Sequence, residues 1–310
     1  MKKILLLLAV LFCANWMVAQ DEAIFMHYTV NPILINPAAA GFNESYNLQL
    51  NARAQWTGFK DSPKTYAAYY NGPIGKTFGL GVGVLSESAA QLSRLKVQMD
   101  VAFRFKFENR DREVAKISAG FFSEFQEMTV DNEIVGSNFF MQGDDLLEDF
   151  LNGQGVFDAA IGFYGTLYEN TFFGLTFNNL VRSRLDDIAG TTDRQSFFQF
   201  YSFNLGHKFD IPEKSMNIEP SLLIRQIRNS PFQVDFNLKA GFLDDQLIAG
   251  LSYRSLGALG ILLGTKLNAF KLYYSYDVSF QRFQQFNMGS HEVTIAFKFD
   301  KKEKDINKGY

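Results

Sequence analysis

Two consecutive residues near the C-terminus, Ser290 and His291 in Gly289-Ser290-His291-Glu292, bring together a hydroxyl and an imidazole, the nucleophile and base of a hydrolase. That chemistry needs the base within hydrogen-bond reach of the nucleophile. Here the pair opens a stretch of alternating apolar and polar residues. Adjacent residues on a strand point to opposite faces, so the hydroxyl and the imidazole diverge. A structural role at the start of a strand fits better. Of the other histidines, His27 falls in a proline-rich segment and His207 in a strand pattern. The row Gly79, Gly81 and Gly83 resembles a phosphate loop only in composition, because it alternates with Phe78, Leu80, Val82 and Val84. Such glycines would instead let another segment approach the strand closely. Gly257, Gly260 and Gly264 have the same two readings. Asp131 and Glu133, with Asp144 and Asp145, could hold a surface cation, yet no carboxylates stand at metal-ligand spacing. The sequence therefore offers no catalytic residue, cofactor site or metal site, and the chain reads as a protein that is not an enzyme.

The elements that would position any site are strands. From Leu95 to Phe107 every odd position is apolar: Leu95, Val97, Met99, Val101, Phe103, Phe105 and Phe107. Between them stand Lys96, Gln98, Asp100, Ala102, Arg104 and Lys106. A period of two puts hydrocarbon on one face and water-loving groups on the other. Tyr46 to Trp56 repeats the pattern, with Leu48, Leu50, Ala52 and Ala54 against Asn47, Gln49, Asn51 and Arg53. So does Phe232 to Phe242, and so do Leu272, Tyr274, Tyr276 and Val278. The last such stretch carries Val293, Ile295, Phe297 and Phe299.

Residues 1–20 have the form of a secretory signal peptide: Lys2 and Lys3, an apolar run Ile4 to Phe12, and a cleavage point near Ala19 or Gln20. The apolar run is too short for a membrane anchor. The sole cysteine, Cys13, lies within it, so the processed chain has neither disulfides nor thiol chemistry. No later run is long enough for a transmembrane helix. Export, 33 Phe and 13 Tyr, and alternation throughout point to an outer-membrane barrel. Only helices and closed barrels satisfy all backbone hydrogen bonds in lipid. The net charge of −3 gives no support for nucleic-acid binding.

The expected architecture is all-β: a transmembrane antiparallel β-barrel of about fourteen strands over residues 45–300. The strands fall near 46–56, 64–72, 77–86, 92–107, 114–126, 155–168, 171–180, 196–209, 215–228, 231–243, 246–254, 258–267, 270–282 and 290–299. The long connections 127–154 and 181–195 then fall at one end, the external one. Residues 21–44 hold Asn31-Pro32 and Asn36-Pro37 and form an irregular extension, either periplasmic or folded into the lumen as a plug. Residues 301–310 form a charged tail. The loop 127–154 mixes acidic residues with Phe139, Phe140, Met141, Leu146, Leu147 and Phe150. It reads either as an external docking surface or lid, with those residues as partner-binding candidates, or as an ordered cover over the barrel mouth.

Several motifs together resemble the PorP/SprF family of the Bacteroidetes type IX secretion system. They are Asn31-Pro32-Ile33-Leu34-Ile35-Asn36-Pro37-Ala38-Ala39-Ala40-Gly41, Gln55-Trp56-Thr57-Gly58-Phe59, Pro63-Lys64-Thr65 and Gly79-Leu80-Gly81. Pro220 to Arg225, Leu251 to Arg254, Tyr274-Ser275-Tyr276-Asp277-Val278-Ser279 and Gly289-Ser290-His291-Glu292 complete the set. The resemblance implies a non-enzymatic outer-membrane barrel. Its partners would be outer-membrane lipid, an exported protein with a C-terminal sorting domain such as a gliding adhesin, and a periplasmic ring of lipoprotein and its companion. Its function would be to anchor that exported protein at the cell surface or help deliver it. The family has no catalytic residues to transfer, so Asn31, Pro32, Asn36, Pro37, Gly41, Gln55, Trp56, Gly58, Phe59, Pro63, Lys64, Asp277, Gly289, Ser290, His291 and Glu292 are structural or contact candidates. The alternative from another class is a pore or transporter for small or hydrophobic solutes.

Overall fold

The structure, a computed structural model, describes residues 25–110, 112–131, 151, 153–181, 201–226, 232–255, 257–280 and 288–300. The first seven strands are β1 (Ser45–Ala54), β2 (Lys64–Ile74), β3 (Phe78–Ala89), β4 (Leu92–Asn109), β5 (Arg112–Val130), β6 (Gln154–Leu167) and β7 (Thr171–Phe177). β8 (Tyr201–His207) resumes after Lys208 as Phe209–Ile211, and both parts pair with the next strand. Then follow β9 (Met216–Gln226), β10 (Gln233–Phe242), β11 (Leu247–Arg254), β12 (Ala258–Leu267), β13 (Phe270–Ser279) and β14 (Ser290–Asp300). Each strand pairs antiparallel with its chain neighbours. β1 also pairs with β14, from Ser45 opposite Asp300 to Ala54 opposite His291. The sheet is therefore a closed fourteen-stranded barrel with no free edge. Closure is what an apolar solvent demands, since lipid offers no partner to an unpaired N–H or C=O.

The alternation sets the two faces. On β4 the outward Met99 and Phe105 are 61% and 52% exposed, while the inward Asp100 and Arg104 are 1% and 4% exposed. Outward aromatic residues form a girdle at each rim. Phe107, Phe209, Phe242 and Phe299 lie toward one end, and Tyr66, Phe125, Phe157 and Tyr253 toward the other. At the first end every connection (75–77, 110–111, 168–170, 212–215, 243–246 and 268–269) has at most four residues. The long connections 131–153 and 178–200 lie at the opposite end, which marks it as external. Several boundaries move from the sequence expectation: β3 runs on to Ala89, β7 stops at Phe177, and two further shifts have clear causes. β1 stops at Ala54, because Trp56 has φ +49° and belongs to the turn. β5 runs on to Val130, where it still pairs with Leu92, so the connection after it is shorter than 127–154.

Residues 25–44 lie inside the barrel. They form three single 3-10 turns, His27–Thr29, Pro32–Leu34 and Pro37–Ala39. The two Asn-Pro pairs explain this shape. A residue before proline is driven to extended backbone, and proline itself suits the first position of a turn. Asn31 and Asn36 have φ of −145° and −149°, and the Asn36 side-chain oxygen accepts from Ala38 N at 3.0 Å. Met26, Ile33, Ala38, Ala40 and Phe42 are all buried. Each large apolar side chain among them contributes about 1.5–3 kcal/mol by leaving water. This segment is the core that a barrel of lumen-facing polar residues otherwise lacks.

Candidate functional site

The lumen is where charge collects. Arg53 on β1 donates from Nη1 to Glu292 Oε2 of β14 at 2.9 Å and from Nη2 to Asp277 Oδ2 of β13 at 2.8 Å. Arg53 and Glu292 face each other across the β1–β14 seam. Glu292 also accepts the backbone N–H of Met26 at 2.7 Å and of His27 at 3.2 Å. The His27 ring lies 2.5 Å from Thr294 Oγ1 and 3.2 Å from Glu292 Oε1. One carboxylate thus fastens the inner segment to the seam that closes the barrel. Beside it, Asp235 stands 3.5 Å from both Arg225 and Arg254, and Asn237 Nδ2 donates to the Tyr28 hydroxyl at 2.8 Å. The three arginines Arg53, Arg225 and Arg254 balance the carboxylates Asp235, Asp277 and Glu292. A neutral set of this kind avoids an isolated charge in a poorly solvated place.

The segment is held on other sides too. Lys239 donates to Thr29 O at 3.0 Å, and Thr176 donates to Ile35 O at 3.0 Å. Asn36 Nδ2 donates to Phe163 O at 2.8 Å, and Asn71 Oδ1 accepts from Gly41 N at 3.3 Å. Arg104 donates to Gly41 O, to Phe42 O at 3.3 Å and to Lys76 O at 2.8 Å. Lumen-facing glycines make room for it. A Cβ on Gly79 would lie 2.0 Å from Ala40 O, one on Gly120 2.4 Å from Ala38 N, and one on Gly162 2.3 Å from Asn36 Oδ1. Of the glycine row, Gly79 and Gly81 face the segment, whereas a Cβ on Gly83 would meet the Tyr69 ring. In the second group Gly260 abuts Met26, Gly264 abuts Tyr273, and Gly257 is a turn residue with φ +85°.

This plug divides the lumen. An outer cavity, open to solvent, is lined by Phe25, Leu34, Leu85, Arg94, Lys96 and Arg225. An inner one is lined by Asn31, Phe42, Asn43, Asn71 and Lys271. Among the described residues no group of three or more His, Cys, Asp or Glu could hold a metal ion.

The residues singled out in the sequence separate into groups. Asn31, Pro32, Asn36, Pro37 and Gly41 build the plug, with Gly41 at φ +62° under Gly72 and Gly79. Gln55, Trp56, Gly58, Phe59, Pro63 and Lys64 form the first external turn and its margins. Gln55 N donates to Pro63 O at 2.8 Å, and Thr57 N donates to Gly289 O at 2.9 Å. Asp277 and Glu292 join the buried ion cluster. Ser290 points inward and accepts from Trp56 N at 3.2 Å, while His291 points outward beside Tyr274 and lies 2.8 Å from its hydroxyl. The hydroxyl and imidazole diverge and each is occupied structurally. The partner candidates Phe139, Phe140, Met141, Leu146, Leu147 and Phe150 lie outside the described residues. Sequence reasoning recognised Arg53 and Arg104 as inward-facing but not as anchors of the plug. A long cation among short amides on the wet face was the available signal.

A family described as "Type IX secretion system membrane protein PorP/SprF" matches residues 17–297. No curated protein sequence matches the chain. Among solved structures, the CymD monoaromatic hydrocarbon channel is similar at TM-score 0.51 and 11% identity, over 90% of this chain and 93% of that one. The KdgM porin is similar at TM-score 0.41 and 12% identity, over 82% and 99%. The Acinetobacter baumannii outer membrane protein Omp33 is similar at TM-score 0.44 and 8% identity, over 83% and 99%. At such identities the likeness is one of fold.

Proposed function

The chain belongs to the PorP/SprF family of type IX secretion system membrane proteins, and on that premise we propose that its plugged outer-membrane barrel is a binding platform. It anchors an exported protein with a C-terminal sorting domain at the cell surface, or helps deliver it there. The observation that carries this reading is the plug. Residues 25–44 are bonded to β2, β4, β6, β7, β10 and β14 at once, an arrangement that favours a rigid platform over a path for solutes. The partner would be gripped from the external end, where the long connections can present apolar side chains as anchors. The periplasmic face would meet the lipoprotein ring of the secretion machinery. The role is one of binding.

The test is a gentle-detergent pull-down of the tagged barrel from outer membranes, read by mass spectrometry. One dominant large exported protein with a C-terminal sorting domain supports a dedicated anchor. Ring proteins without a dominant cargo support a place in the secretion core. Recovery of the barrel alone contradicts both and moves the pore reading forward.

A further inference from the structure

The cations that face the lumen are for the most part matched. Arg53, Arg94, Lys96, Arg225, Lys239 and Arg254 each stand 3.5 Å or less from a carboxylate. Arg104 directs its donors to the carbonyls of Gly41, Phe42 and Lys76. Two inward cations depart from this pattern. Lys266, near the end of β12, and Lys271, near the start of β13, have no ion pair among the described residues.

These two lysines also stand directly opposite each other, the second residue pair above the periplasmic turn 268–269. Strand alternation turns both side chains inward, and both are half-buried. Opposed residues on one face of a ladder have Cβ atoms about 4.5–5.5 Å apart, and like charges so placed are destabilising. The surroundings add to the excess. The charges acting on Lys271 are the cations Lys266, Lys298 and Lys239 and a single carboxylate, Asp245. That carboxylate already accepts from Asn217 at 2.7 Å and lies 3.4 Å from Lys208. Lys271 lines the inner cavity together with Asn31, Asn43, Asn47 and Tyr273, residues that carry further N–H and O–H donors. The plug residues Val30, Asn31, Pro32 and Phe42 bound the same cavity. It is a polar recess below the plug, with positive charge at its mouth.

We propose that Lys266 and Lys271 form, at the periplasmic mouth of the inner cavity, a binding site for a small oxyanion carrying two negative charges, of the phosphate or dicarboxylate class. A dianion neutralises both ammonium groups at once, and its remaining oxygens can accept from the cavity amides. Because the plug closes the recess, the site takes a small solute from the periplasm and passes nothing through the barrel. It lies at the opposite end from the long external connections and does not depend on the cargo reading.

Urea unfolding of the full chain in a zwitterionic detergent tests the site. Millimolar potassium phosphate or succinate should raise the unfolding midpoint of the parent progressively with concentration, because a ligand that binds only the folded state stabilises it. Potassium chloride at equal ionic strength should not, and the anion that acts identifies the ligand type. Lys266→Gln with Lys271→Gln should lose the response, whereas Lys266→Arg with Lys271→Arg, which keeps both charges, should retain it. Lys76→Gln, on the exposed turn 75–77, should respond as the parent does. Heat-modifiable mobility in gels shows that each variant folds. No response to either anion, or an equal response in the parent and the glutamine variant, overturns the proposal. A response that chloride matches also overturns it, because the two lysines are then merely screened.

Discussion

Glu292 accepts hydrogen bonds from Met26 N, His27 N and Arg53 Nη1 while exposing none of its surface. Its loss would strand a buried guanidinium and two backbone donors together. Removing one partner of a buried pair costs about 3–5 kcal/mol, far more than a surface pair contributes. Glu292→Ala should therefore lower barrel stability by about that amount in urea unfolding from lipid vesicles. The triple variant Glu292→Ala, Arg53→Met and Asp277→Asn should recover part of the loss, because the stranded guanidinium is then gone and its other partner, Asp277, is neutral. If Glu292→Ala unfolds like the parent, the plug is held by its apolar contacts and not by this carboxylate. None of this cluster is legible as a cluster in the sequence. Arg53 lies 239 residues from Glu292 and 224 from Asp277, and only barrel closure brings them together.

Elements were far more legible. Alternation with a period of two announces a strand and assigns both its faces, and the short turns separate one strand from the next. The fourteen expected strands all form, with ends moved where a left-handed turn residue such as Trp56 or continued pairing such as Val130 opposite Leu92 decides them. The outward face makes a direct prediction. Met99 is 61% exposed and sits opposite Val82 in the middle of β3. Met99→Arg should cost about 2–4 kcal/mol in folding into bilayers, falling to about 0–1 kcal/mol for an arginine at a rim position. The periplasmic turn 243–246 predicts a pH effect. Burial pushes the Asp245 carboxyl up, but the hydrogen bond from Asn217 and the Lys208 ammonium outweigh it, so it lies below the ordinary 3.8. A carboxyl lowered on folding stabilises above its unfolded value and loses that contribution as pH falls through the folded one. Asp245→Asn should therefore be less stable than the parent above about pH 4 in acid unfolding profiles and converge on it as pH falls further.

At the scale of the whole molecule the extension before β1 decides what the barrel is. The Asn-Pro pairs foretell extended and turn backbone, but nothing local in residues 25–44 says whether they stay in the periplasm or enter the lumen. The answer is written in the opposite wall, as glycines at 79, 120 and 162 whose missing Cβ atoms leave room for Ala40, Ala38 and Asn36. Gly79→Leu should accordingly push the plug off β3 and make residues 25–44 protease-sensitive while the barrel keeps its heat-modifiable mobility. The central claim, a closed barrel that binds and does not conduct, is tested most directly by planar-bilayer conductance of the full chain beside a variant lacking residues 25–44. The account predicts no steady current from the full chain and an open pore once the segment is removed. Equal steady conductance from both would contradict it.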